Sequence, residues 1–207
     1  MSYIWINPVV DSMYEKEKLD SFLKKHGYQR MEVMENWGKV VKEKYGKVVG
    51  QKELPVMDVR CPEVRKMVES MEIGEEVLIP EIEPILIHCG KELGERKDLQ
   101  KEKKIITTPC QSLADMGNAL ALENTYFMPW NQFLEMLGEW PEASVLKESP
   151  IPPGFFDELE VNTKALTGEK EIQNYLGNEI EEGIQLVEML FCEKGCHNGD
   201  GIKGCKR

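Results

Sequence analysis

The chain has 207 residues, 41% of them apolar and 30% charged, and a formal net charge of −11. That length can bury one core or two small lobes. The acidic balance excludes ready binding of nucleic acid, whose phosphates it would repel. No apolar run approaches the roughly 18 residues of a membrane helix. The first ten residues lack a basic start leading into a long apolar stretch, so the expectation is a cytoplasmic protein with no membrane segment. Six cysteines in a reducing compartment point to metal binding or catalysis before disulfides.

In chain order, Tyr3-Ile4-Trp5-Ile6 reads as a short strand closed by Pro8, followed by a helix predicted over 12–26 that stops at Gly27. A second helix is predicted over 35–45, with Gly46 as its stop signal. Residues 54–59 are extended because Leu54 precedes Pro55. Cys61 then leads into Pro62, which suits the first turn of a helix reaching about residue 71. Residues 76–79 are strand-like, while Ile85-Leu86-Ile87 fits a buried strand or a helix equally well. A charged connector over 97–104 precedes a β-branched strand at 105–108, the turn Pro109-Cys110 and a helix over 113–122. A strand at 126–128 and a helix at 130–137 follow.

The segment Ser149-Pro150-Ile151-Pro152-Pro153-Gly154 is stiff and non-helical, which makes it the candidate lobe connection. This divides the chain into 1–150, carrying Cys61 and Cys110, and 151–207, expected to hold a long helix and a Cys/Gly-rich loop. The helix is predicted over 169–191 from Ile172, Leu176, Ile180, Ile184, Val187 and Leu190 at near-helical spacing. Alternating strands and helices give an α/β class: two small lobes with mostly parallel sheets flanked by helices.

Cys192 and Cys196 stand in a turn loosened by Gly195, Gly199 and Gly201, a setting that suits an iron–sulfur or zinc site better than a core. Cys61 and Cys110 share another setting: extended segment, turn with proline, cysteine, helix. Ligands in α/β folds gather at the carboxyl ends of parallel strands, where helix N-termini offer unpaired amides and partial positive charge. These four cysteines fit a single metal cluster between two lobes. A local zinc knuckle of Cys192, Cys196, His197 and Cys205 is the alternative. Cys89 reads as a structural thiol, an extra ligand or a redox thiol. His88 reads as a satisfied, partly buried histidine before a proton carrier, and His197 as shaping the cluster environment or replacing the proton relay, while Trp130, Trp140, Phe155 and Phe156 read as core or lobe-contact residues. The sequence holds neither a phosphate-binding P-loop nor a Gly-x-Ser-x-Gly elbow.

Three stretches carry a more specific resemblance. Leu54-Pro55-Val56-Met57-Asp58-Val59-Arg60-Cys61-Pro62-Glu63-Val64-Arg65-Lys66-Met67-Val68-Glu69 resembles the first signature of the iron-only ([FeFe]) hydrogenase catalytic domain, in which a Thr-Ser-Cys-Cys-Pro turn precedes a helix. Ile105-Ile106-Thr107-Thr108-Pro109-Cys110 is similar to the second, a strand ending in Met-Pro-Cys. Leu190-Phe191-Cys192-Glu193-Lys194-Gly195-Cys196-His197-Asn198-Gly199-Asp200-Gly201 resembles the third, Met-x-Cys-x-x-Gly-Cys-x-x-Gly-Gly-Gly. The resemblance implies that Cys61, Cys110, Cys192 and Cys196 ligate a [4Fe-4S] cluster, the last also bridging to a di-iron unit in that family. Two departures stand against hydrogen chemistry. Arg60 occupies the place of the family's proton-transferring cysteine, and Leu113 that of the lysine bound to the di-iron unit.

The expected function is therefore one-electron transfer or redox sensing, in an anaerobe's cytoplasm, without hydrogenase activity. The expected partner is a redox protein such as a ferredoxin or an oxidoreductase subunit. As an enzyme, the chain would be a hydrogenase-like iron–sulfur oxidoreductase. Two other classes remain: a reductase binding a small substrate at an open iron, and an interaction protein folded by zinc.

Overall fold

The computed structural model describes residues 2–51, 53–71, 73, 76–178 and 180–203. In chain order the elements are β1 (Ser2–Trp5), α1 (Pro8–Asp11), α2 (Lys16–Lys25), β2 (Tyr28–Arg30), α3 (Trp37–Val48), β3 (Val56–Met57), α4 (Pro62–Ser70) and α5 (Ile85–Gly94). They continue with β4 (Lys103–Thr108), α6 (Gln111–Asn118), β5 (Thr125–Pro129), α7 (Trp130–Leu137), β6 (Thr163–Thr167), α8 (Glu169–Leu176) and β7 (Leu186–Leu190). The class is α/β, with two parallel sheets flanked by helices. Among the described residues no helix is long and apolar enough to cross a membrane.

The chain forms two compact units, each assembled from discontinuous segments rather than from one stretch on either side of residue 150. The first comprises Met1–Glu35, Leu86–Pro150 and Cys196–Arg207; the second comprises Asn36–Ile85 and Ile151–Gly195. One crossing lies at Pro150 and Ile151, inside the stiff proline segment.

The first unit holds a four-stranded sheet in the order β2-β1-β4-β5, every pair parallel. Central β4 is buried from Lys104 to Thr108, as expected of a parallel strand covered on both faces. Lys104 tolerates this because its ammonium donates to the carbonyls of Leu99 and Glu102, at 3.0 and 3.3 Å. Strand order reverses between β1 and β4, and there Asn7 joins the two: its backbone N–H donates to Thr107 Oγ1 at 2.9 Å. The Asn7 side chain accepts from the amides of Val9 and Val10, at 3.1 and 3.2 Å. With Pro8 at the first helical position, this starts α1 at a point expected only to end a strand.

The second unit holds the parallel sheet β3-β7-β6. Alternation along β7 divides its two faces. Val187 and Met189 join Met57, Val59 and Leu166 against Val64 and Val68 of α4 and Ile172 and Leu176 of α8. Leu186 joins Val56, Val41, Tyr45, Ile82 and Phe156 in a second cluster. All five residues of β7 are buried.

This overturns the long helix expected over 169–191. Helix α8 ends at Leu176, Gly183 turns the chain at φ +84°, and Leu186–Leu190 is a strand. A strand buried on both faces is apolar nearly throughout, so its run continued the helical spacing by coincidence. The helix expected over 12–26 is the shorter α2, and α3 runs through Gly46 because Val41 and Tyr45 anchor it in the core. Helix α6 begins at once after Cys110 and stops at Asn118, whose side-chain amide pairs with both backbone groups of Phe127 in β5. Residues 76–79 make only a bridge between Leu78 and Val56, and Ile85-Leu86-Ile87 opens a helix.

Candidate metal centre

In the second unit, β3 and β7 lie side by side and parallel, so the segments leaving their carboxyl ends emerge together. One carries Cys61 and the other Cys192. Cys192 therefore follows a parallel strand, not the helix expected before it. Cys61 caps α4, with Pro62 in the first turn. Burial raises its thiol pKa, while the nearby backbone N–H groups of Val64, Phe191 and Glu63 act in the opposite direction. The Phe191 amide lies in the segment that leads to Cys192. Beyond it, Lys194 and Gly195 take positive φ, 61° and 115°, and the Gly195 N–H donates to the Cys192 carbonyl at 3.1 Å.

Arg60 has a different task from the one its position suggests. Its guanidinium makes a two-pronged contact with Asp58, Nε to Oδ1 at 2.7 Å and Nη2 to Oδ2 at 2.6 Å. Asp58 is 1% exposed and also accepts from the Tyr45 hydroxyl at 2.9 Å. The guanidinium lies 4.2 Å from the Phe155 ring centre and 4.8 Å from that of Phe156. Glu188 of β7 accepts from the amides of Gly154 and Phe155. Burial raises its pKa most, with Asp58 adding to this and Arg60 opposing it. The positive charge of Arg60 is thus taken up by Asp58.

In the first unit, Cys110 leaves the carboxyl end of β4 and caps α6. The segment from Cys196 is fastened over this edge. Gly201 donates its N–H to the Pro109 carbonyl at 3.1 Å and accepts from the Asn131 amide at 2.8 Å. Asp200 Oδ1 accepts from the Gln111 amide at 3.1 Å, occupying the start of α6. The glycines allow this approach: a Cβ on Gly199 would stand 2.2 Å from the Pro109 carbonyl oxygen, and one on Gly201 3.0 Å from the Cys110 nitrogen. Within this loop Cys196–Asn198 forms a single 3-10 turn. The Nδ1 atom of His197 is buried there with no hydrogen-bond partner among the described residues.

The four expected ligands thus fall into two pairs: Cys61 and Cys192 at one sheet's carboxyl edge, Cys110 and Cys196 at the other's. None of the five described cysteines forms a disulfide. Among the described residues, no three His, Cys, Asp or Glu side chains are gathered as a metal site. The thiolate chemistry of the pairs, the amides on Cys61 and the orphaned His197 nitrogen suit an iron–sulfur group. Cys205 lies outside the described residues. Cys89 is 4% exposed within α5, and burial, with Glu92 nearby, pushes its thiol up to about 12, which fits an inert structural cysteine. His88 is buried, as are Trp130 and Phe156 in the core.

Several residues at these edges escaped the sequence reading. Asn7-Pro8 carried a legible cap-and-proline signal. Glu188 was a charge inside an apolar run, the mark of a buried acid. Asp200 and Tyr45 gave no local signal, since their partners lie far along the chain. Compared with known proteins, the chain matches no protein family and no curated sequence.

Proposed function

We propose that this protein is an iron–sulfur redox protein in which thiolates of Cys61, Cys110, Cys192 and Cys196 hold one [4Fe-4S] cluster. The observation that carries the reading is that each parallel sheet presents a cysteine pair at its carboxyl edge, where α/β folds bind ligands. Each pair is half of a tetrathiolate set. When bound, the cluster would supply a one-electron couple, suited to exchange with a ferredoxin or an oxidoreductase subunit.

The chain's own residues would bind and tune it. The Val64, Phe191 and Glu63 amides offset thiolate charge at Cys61. Asp200, Gly199 and Gly201 fix the loop that bears Cys196. Arg60, bound to Asp58, transfers no proton, so the reading is electron transfer or redox sensing without the hydrogen chemistry of the family it resembles.

The test is anaerobic purification with iron, sulfide and zinc measured per chain, alongside absorption and EPR spectra before and after dithionite. The expectation is about four irons and four sulfides with a reducible signal, lost in Cys61→Ser. Zinc without iron, retained in Cys61→Ser, would overturn the reading in favour of a local zinc knuckle.

A further inference from the structure

His197 stands beside Cys196 in the 3-10 turn of the C-terminal loop, and its Nδ1 is buried without a protein partner. Among the described residues only the Tyr175 hydroxyl shares that condition. A buried polar atom left unpaired costs about 1–3 kcal/mol, and native chains keep such atoms where something other than the chain completes them. The loop that bears the ring is tied down by hydrogen bonds on its C-terminal side. Gly199 donates to the Cys196 carbonyl at 3.1 Å, and Gly201 clasps Pro109 and Asn131 at 3.1 and 2.8 Å. Asp200 holds the Gln111 amide at 3.1 Å, and the Asn131 side chain holds the Asp200 carbonyl at 3.1 Å. A ring nitrogen without a protein partner thus lies in the same tight turn as Cys196, and hydrogen bonds to sulfur are a principal means of raising a cluster's potential.

We infer that His197 donates a hydrogen bond from Nδ1 to a sulfur of the group that Cys196 ligates, and thereby holds its reduction potential up. This rests on the cluster reading above. His197 is a positioning and tuning residue on this account, not a ligand, so the cluster should assemble without it.

The experiment compares wild-type protein with His197→Ala, His197→Asn and His197→Gln, all purified without air. Iron and sulfide are counted, folding is checked by circular dichroism, and the midpoint is read by EPR-monitored redox titration at one pH. An asparagine amide nitrogen reaches the position of Nδ1, whereas that of glutamine reaches the position of Nε2. The expected result is an unchanged cluster content, a midpoint shifted lower in His197→Ala and His197→Gln, and recovery toward wild type in His197→Asn. A wild-type midpoint in His197→Ala would overturn the inference while leaving the cluster reading intact. So would loss of iron from folded His197→Ala, which would make the histidine a ligand. Wild-type protein without iron would overturn the cluster reading itself, and this inference with it.

Discussion

Replacing Arg60 by alanine separates a structural from a chemical reading of the position before Cys61. The Arg60 side chain is 11% exposed and that of Asp58 1%, and the two meet through a pair of short hydrogen bonds. Arg60→Ala leaves Asp58 buried with only the Tyr45 hydroxyl and the Arg60 backbone amide to hold its charge. Removing one partner of a buried ion pair costs about 3–5 kcal/mol, against at most about 1 kcal/mol for an exposed pair. The guanidinium also fills the space against Phe155 and Phe156. A chain of this size loses about 2–4 °C of Tm per kcal/mol, so the expected fall is about 6–20 °C.

Urea denaturation followed by circular dichroism, with thermal melts beside it, measures this directly. The double variant Asp58→Asn/Arg60→Met removes both charges and keeps their volume, so it should cost less than Arg60→Ala alone. A loss of under about 1 kcal/mol for Arg60→Ala would refute the buried-pair account, since that is the range of solvent-exposed pairs. A double variant as damaged as the two single changes added together would refute it too. Arg60→Cys should carry the same stability loss as Arg60→Ala.

Two further outcomes follow from local geometry. Gly199→Ala pushes a methyl to 2.2 Å from the Pro109 carbonyl, so it should destabilise by about 1–3 kcal/mol and loosen the Cys196 loop. Gly46→Ala within α3 meets only an ordinary 3.5 Å contact with Leu159 and should stabilise by up to about 1 kcal/mol; melts that rank the two the other way would contradict the packing. Glu188 has its pKa raised by burial first, with Asp58 adding and Arg60 opposing. The folded state thus holds this proton more tightly than the unfolded chain. Its contribution is fully present below the unfolded value of about 4.3 and is lost as pH rises through the folded value. Relative to wild type, Glu188→Gln should therefore gain stability as pH rises through that window, and a flat difference from pH 4 to 8 would refute the shift.

Legibility in the sequence followed the range of the interactions. Strands β4 and β5 and helices α4 and α7 were visible because β-branched runs, Pro62 and apolar spacing act within a few residues. The settings of Cys61 and Cys110 were visible for the same reason. Cys192 was placed after a helix because the run ending in β7 satisfied a period of 3.6 as well as a buried strand does. Gly177 and Gly183 were the breaks that could have decided it. The interleaved units were not legible, because they depend on β3 pairing with β7 across more than a hundred residues. Nor was the role of Arg60, since Tyr45 and Phe155 reach it only through the fold.

On the proposed reading, the position before Cys61 separates a cluster site from hydrogen chemistry physically. Asp58 and Arg60 are two residues apart on an extended segment, so they face the same side, and the Arg60 amide donates back to Asp58 Oδ1 at 3.1 Å. That turn immediately precedes Cys61, whose thiol pKa the backbone N–H groups of Val64, Phe191 and Glu63 lower against burial. A proton-transferring thiol at position 60 would have to leave Asp58 buried without its counter-charge, or lose Asp58 and with it the turn. On the proposed reading, the ion pair beside Cys61 is therefore incompatible with a proton relay at position 60, and electron exchange is the chemistry left to this edge of the sheet.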